Sequence, residues 1–100
     1  MNPKAISTNI FKIASPSGNE HTITKMLKMQ VSDYVDSMVE DAIGNLICKK
    51  YSNKPQISQT IMFVAHMDEI GLMVTYIEEF GYIHFTRIGA VDLMILKVAM

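Results

Sequence analysis

The chain is short of cysteine, of net charge and of long apolar runs, and each shortage closes off a class of protein. Cys48 is the only cysteine among 100 residues. No internal disulfide can form, and a lone thiol fits a reducing compartment. Nine basic residues against ten acidic ones leave a net charge of −1. That balance offers no basic surface for a phosphate backbone and argues against a nucleic-acid partner. The longest unbroken apolar run is Ile61 to Ala65, far short of the ~20 residues that span a bilayer as a helix. The opening stretch, MNPKAISTNIFKIAS, has polar residues throughout and no apolar core of signal-peptide length. The expectation is a soluble, cytoplasmic protein with no membrane partner.

What the chain does contain suits a globular fold. Hydrophobic residues make up 49% and charged residues 19%, a balance that argues against disorder. The length allows one domain at most, with a small margin of stability. The nine methionines read as flexible core fillers.

The hydrophobic period changes along the chain. Ile6, Ile10 and Ile13 recur at helical spacing, and Pro3 suits a first turn, so a helix is expected over 3–14. Ser15-Pro16-Ser17-Gly18 breaks it. Ser17 and Glu20 stand at capping-box spacing, and a second helix is expected over 19–31 with Ile23, Met26, Leu27 and Val31 as its apolar stripe. Alternation then takes over. Residues 35–40 and 46–50 read as strands around a turn at Asp41 to Asn45. The polar stretch from Tyr51 to Gln59, with Pro55, reads as a loop. Thr60 to Ala65 is apolar on both faces, as expected of a central strand covered on each side, with Phe63 buried. Residues 72–77 and 82–87 alternate around a hairpin turn at Glu78 to Gly81. Helices come first and strands later, so the fold class is α/β or α+β.

The segment FVAHMDEIG, residues 63–71, carries the chemistry. A buried strand that ends in His66-Met67-Asp68 would deliver an imidazole to a sheet edge, where ligands of α/β proteins bind. In an extended chain His66 and Asp68 point the same way. A carboxylate there can accept the imidazole's second N–H, fix the tautomer and raise its basicity as a metal ligand. The plain alternative is a strand running into a polar turn. One histidine and one orienting acid do not make a catalytic zinc site, which takes three protein ligands and an open position. His21, in the first turn of a helix, and His84, on the polar face of a hairpin, offer no second ligand. Gly71 allows a close backbone approach or a bend.

Four segments, taken in order, resemble one known family. AHMDEIGLMV at 65–74 resembles the hallmark segment of the glutamyl and deblocking aminopeptidases that assemble into tetrahedral particles. Many of these carry cellulase or endoglucanase names. SPSGNE at 15–20 is similar to the family's first loop, DAIGNLICKK at 41–50 to its D-x-x-G-N-L-I strand, and FGYIHFTRIGAVD at 80–92 to its hairpin and I-G-G-V-D segment. The resemblance runs from about residue 3 to Lys97. It implies a catalytic α/β domain of zinc-peptidase type interrupted by a small β-rich domain that builds a homo-oligomer. It implies a metallopeptidase, a hydrolase of peptides with a free N-terminus. Two divalent ions, zinc or cobalt, would activate a water, with a glutamate as general base.

Carried over position by position, the resemblance makes His66 the first metal ligand and Asp68 the residue that orients it. Glu69 matches neither the bridging acid nor the general base, both of which lie later in the family sequence. Ala90 stands where the family has the second glycine of I-G-G-V-D. Residues 1–90 correspond to the first part of the catalytic domain, and 91–100 to the start of the crossover toward the inserted domain. The expectation is an N-terminal fragment that is inactive alone. The alternative is a non-catalytic module that pairs with itself or with a complementary fragment through its unfinished apolar surface, since the apolar tail from Leu93 to Met100 and the absence of later strands would leave Thr60 to Ala65 poorly covered. A glycoside hydrolase is disfavoured. It needs two carboxylates across a sugar bond, and neighbours such as Asp68 and Glu69 face opposite sides of a strand.

Overall fold

Among the described residues two α-helices precede four strands, in the order α1 (Pro3–Ile10), α2 (His21–Val31), β1 (Ser37–Glu40), β2 (Leu46–Lys49), β3 (Gly71–Ile77) and β4 (Ile83–Ile88), with a short 3-10 turn at Ser32–Tyr34 after α2. The computed structural model describes residues 3–54, 56 and 59–92. Residues 93–100 of the crossover expected over 91–100, and Pro55, Ile57 and Ser58 of the expected loop, lie outside the described residues. Helix α1 is shorter than the periodicity suggests. After Ile10 the chain tightens into a turn, in which the Lys12 and Ile13 N–H groups reach back only three residues, to Asn9 and Ile10. Pro16 then disfavours helix at Ser15.

Helix α2 begins near its expected start, but by another route. The capping box does not form. Glu20 occupies the N-cap position without a side-chain cap bond. Its carboxylate instead accepts from Gly18 N at 2.7 Å, and the Ser17 hydroxyl turns elsewhere. Inward, Ile23 and Thr24 are each 3% exposed. Met26, Leu27 and Val31 lie half-buried on the same side, so the expected stripe is the one that packs.

Each sheet is a two-stranded antiparallel hairpin. In the first, Ser37 pairs with Lys49 and Glu40 with Leu46. Its turn is tied by Asp41, whose carboxylate accepts from Ile43 N, Asn45 N and Asn45 Nδ2 at 3.0, 2.8 and 2.7 Å. Gly44 takes φ +91° there, a conformation open to glycine at little steric cost. In the second, Gly71 pairs with Ile88 and Ile77 with Ile83, with a register shift between Val74 and Tyr76. The turn closes with Glu78 N donating to Tyr82 O and Gly81 N to Glu78 O. Both hairpins therefore stand where the turn residues put them.

The central strand does not form. Residues 60–65 belong to no strand, and Phe63, expected inside, is 92% exposed. The reason is physical. A strand apolar on both faces exists only when neighbours supply its ladder and cover both faces, and neither hairpin pairs with it. The radius of gyration is 18.7 Å with extents of 67 × 30 × 23 Å, against ~13 Å for a compact domain of this length. The elements are present, but few of them share a core. Among the described residues, the best-packed place is the junction of the loop at 15–17, the start of α2 and the segment 67–71.

Candidate functional site

That junction is built by a short parallel zipper. Pro16 and Glu69 form an isolated parallel bridge. Glu69 N donates to Ser15 O at 2.9 Å and Ser17 N to Glu69 O at 3.3 Å. Side chains add to it. The Ser15 hydroxyl donates to Met67 O at 3.2 Å, and Ser15 N donates to Glu69 Oε1 at 3.0 Å. Ser15 is 3% exposed, and these partners meet the requirement that its buried polar groups be satisfied. Two glycines allow the approach. A Cβ on Gly71 would stand 3.2 Å from Pro16 Cβ, and one on Gly89 would stand 3.3 Å from Ile70 Cγ2. The motifs at 15–18, 65–71 and 88–89 thus come together, although long stretches of sequence separate them. The motif at 41–50 forms the first hairpin.

Beside the zipper the side chains of residues 66–68 alternate. Met67 turns toward α2, with its sulfur 3.9 Å from Thr24 Oγ1. His66 and Asp68 turn the other way and meet each other. His66 Nδ1 lies 3.1 Å from Asp68 Oδ1 and 2.9 Å from the Asp68 carbonyl. A carbonyl oxygen can only accept, so a neutral ring making this contact carries its proton on Nδ1 and its lone pair on Nε2. The imidazole stands open to solvent, its side chain 85% exposed. Asp68 keeps a second partner, since Ser17 Oγ donates to Oδ2 at 2.6 Å. The Ser17 hydroxyl first, and the His66 ring second, hold the Asp68 carboxyl below its ordinary value of 3.8.

The remaining candidates fall elsewhere. Glu69 is engaged by Ser15 N. His21 is exposed at the start of α2. His84 pairs through Nε2 with Glu78 at 2.6 Å on the outer hairpin, its ring 5.8 Å from that of Tyr76. Among the described residues no group of three or more His, Cys, Asp or Glu side chains could hold a metal ion. The described residues therefore offer one prepared imidazole, not a complete metal centre. Sequence reasoning missed Ser17 as a member of this constellation. The capping-box spacing drew attention to it but assigned its hydroxyl to the wrong partner.

The chain matches the M42 glutamyl aminopeptidase family over residues 44–99, and it belongs to that family. It is 40% identical over 80 residues to a protein of Acetivibrio thermocellus that bears the name of an aminopeptidase, covering 80% of this chain and 23% of that one. It is 38% identical over 82 residues to the lysyl aminopeptidase of Pyrococcus furiosus, covering 79% of this chain and 22% of that enzyme. Among solved structures it superposes on aminopeptidase APDkam598 of the archaeon Desulfurococcus kamchatkensis with a TM-score of 0.73 and 32% identity, over 84% of this chain and 23% of that one. It also superposes on PhTET1-12s, a dodecamer in its asymmetric unit, with a TM-score of 0.72 and 34% identity, over 92% of this chain and 27% of that one. These likenesses carry the fold class as well, with two helices followed by strands of an α/β domain. The chain spans under a quarter of the length of the curated relatives it matches. Among the described residues no helix is long and apolar enough to cross a membrane.

Proposed function

We propose that this chain is the N-terminal portion of the catalytic domain of a metal-dependent aminopeptidase, and that His66 is its first metal ligand. The observation that supports this most is the state of one ring. His66 has Nδ1 occupied by Asp68 and Nε2 free toward solvent, the arrangement in which a carboxylate readies an imidazole for a divalent ion. Residues 1–90 would belong to the catalytic domain and 91–100 to the crossover toward an inserted β-rich domain. The finer assignments follow the family. They are two divalent ions, zinc or cobalt, peptide substrates with a free N-terminus, a homo-oligomeric enzyme and a cytoplasmic location.

Bound divalent ions would polarise the scissile carbonyl and lower the pKa of a bound water. The residues described here supply one ligand and its orienting acid, short of the three protein ligands of an open catalytic site. No hydrolytic step is derived from them, and the chain alone is expected to be inactive. What the chain does contribute is orientation. Asp68 fixes the tautomer and the ring plane of His66, while Ser15, Glu69 and Gly71 fix the backbone that carries both.

A chimera tests the proposal. This chain replaces the matching segment of the Pyrococcus furiosus lysyl aminopeptidase, and release of p-nitroaniline from aminoacyl-nitroanilides is followed with and without added zinc or cobalt. The expected result is metal-dependent turnover that His66→Ala abolishes, with unchanged sedimentation. A chimera that sediments like the parent and stays inactive with His66 intact contradicts the reading.

A second reading, self-association, has its own support. Ile61, Met62, Phe63 and Val64 are all exposed. Contiguous apolar surface of strand-forming character favours pairing between copies.

A further inference from the structure

Ser17 stands at the beginning of a second helix with the right spacing to cap it, yet its side chain caps nothing. Its oxygen lies 2.6 Å from Asp68 Oδ2. At that length an O–H donating to a carboxylate is a charge-assisted bond, roughly twice as strong as a neutral one. The other carboxylate oxygen, Oδ1, faces His66 Nδ1 at 3.1 Å. One hydroxyl thus sits at the head of a relay, with Ser17 gripping Asp68 and Asp68 gripping His66. The backbone of the serine is held as well. Its N–H donates to Glu69 O at 3.3 Å.

We infer that Ser17 is a positioning residue for His66. By holding Oδ2, it keeps the Asp68 carboxylate turned so that Oδ1 meets Nδ1–H and Nε2 retains the lone pair. An aspartate held only by its own χ angles would rotate among several orientations, and most of them would give up the imidazole contact. The importance of this for catalysis rests on the reading of His66 as a metal ligand. The positioning itself does not, and the two are measured separately.

The test uses the full 100-residue chain without metal, at a pH where the imidazole is neutral. Long-range ¹⁵N–¹H correlation spectra give the ratio of Nδ1–H to Nε2–H tautomers of His66. In the unmodified chain Nδ1–H is the major form. Ser17→Ala lowers that ratio about threefold or more, in line with the loss of one hydrogen bond to a charged group. Ser17→Cys, which fills the same volume with a weak donor, lowers it likewise and serves if the alanine variant loses the amide signals of 15–17 and 67–69. Ser17→Thr keeps the hydroxyl and the ratio. Ser15→Ala removes a neighbouring zipper bond to Met67 O and lowers the ratio clearly less than Ser17→Ala does, which a merely structural role for the loop would not allow. An unchanged ratio in the alanine or cysteine variant, or an equal fall in Ser15→Ala, overturns the inference. Zinc added to the unmodified chain reads the other question. If the His66 Nε2 shift does not move while the Ser17 variants behave as stated, the metal-ligand reading fails and the positioning role stands.

Discussion

Gly89 lies so near Ile70 that a Cβ on it would stand 3.3 Å from Ile70 Cγ2, with its own φ at +74°. Two separate costs therefore meet at Gly89→Ala. Left-handed backbone costs an L-residue about 1–2 kcal/mol, and the new methyl crowds Ile70, the neighbour of Glu69 in the zipper, while meeting the Ser17 hydroxyl at an ordinary contact distance of 3.5 Å. The substitution is expected to destabilise the chain by that order and to disturb the Asp68–His66 pair. Gly44→Ala is the matched control, with φ +91° and nothing within 4 Å of the added Cβ. It carries the backbone cost alone. Urea unfolding compares the two stabilities, and the ring signals of His66 show which variant reaches the site. Equal perturbation of His66 by both substitutions would contradict the local account.

Glu69 is expected to be structural. Its carboxylate accepts from Ser15 N at 3.0 Å, beside the paired backbone of the zipper. Glu69→Gln retains an acceptor, and Glu69→Ala leaves the largely buried Ser15 N–H without its partner. The alanine variant should lose about 1 kcal/mol and show faster amide exchange at Ser15, with the glutamine variant close to the parent. Identical exchange in the two variants would remove this role.

The first hairpin should be sensitive to acid. Asn45, through its side chain and then its backbone N–H, holds the Asp41 carboxyl below 3.8. The Tyr51 backbone N–H and then Lys50 do the same for Asp36. A carboxyl whose folded pKa lies below its unfolded one stabilises the fold above the unfolded value. That contribution disappears as pH falls through the folded pKa. The Ile43 and Asn45 amides should titrate with a midpoint below 3.8, and the hairpin's cross-strand signals should weaken over the same range. Asp41→Asn should weaken the turn at neutral pH and remove most of that dependence. A midpoint at or above 3.8 would contradict the assignment.

Exposed Phe63 should drive association. Sedimentation velocity at rising concentration is expected to show growing species, and Phe63→Lys should shift the distribution toward monomer by placing a charge in the apolar stretch. A clean monomer of the unmodified chain at high concentration would end the self-association reading.

Most of the local architecture is legible in the sequence, because its signals are local. The turns at Asp41 to Asn45 and Glu78 to Gly81 announce both hairpins, and the stripe from Ile23 to Val31 announces the packed face of α2. Apart from the early end of α1, the failures are long-range. Residues 60–65 read as a covered strand, but cover must come from other parts of a fold, and the described residues do not provide it. Ser17 reads as a helix cap from the glutamate three positions on. The hydroxyl answers instead to Asp68, fifty-one residues away in sequence, where a charged acceptor outbids a backbone amide. The pairing of His66 with Asp68 was open to sequence reasoning because two-residue spacing in an extended chain puts both side chains on one side. What anchors that stretch, the zipper with Ser15 and Ser17, was not.

The central claim is that Asp68 readies His66 for a metal ion at Nε2. Zinc titration of the ¹⁵N-histidine-labelled chain tests it most directly. The account predicts that the His66 Nε2 resonance moves toward the metal-bound position while Nδ1 keeps its proton, and that Asp68→Ala weakens the response. Zinc taken at Nδ1 of His66, or taken by His21 or His84 with His66 unmoved, would contradict it.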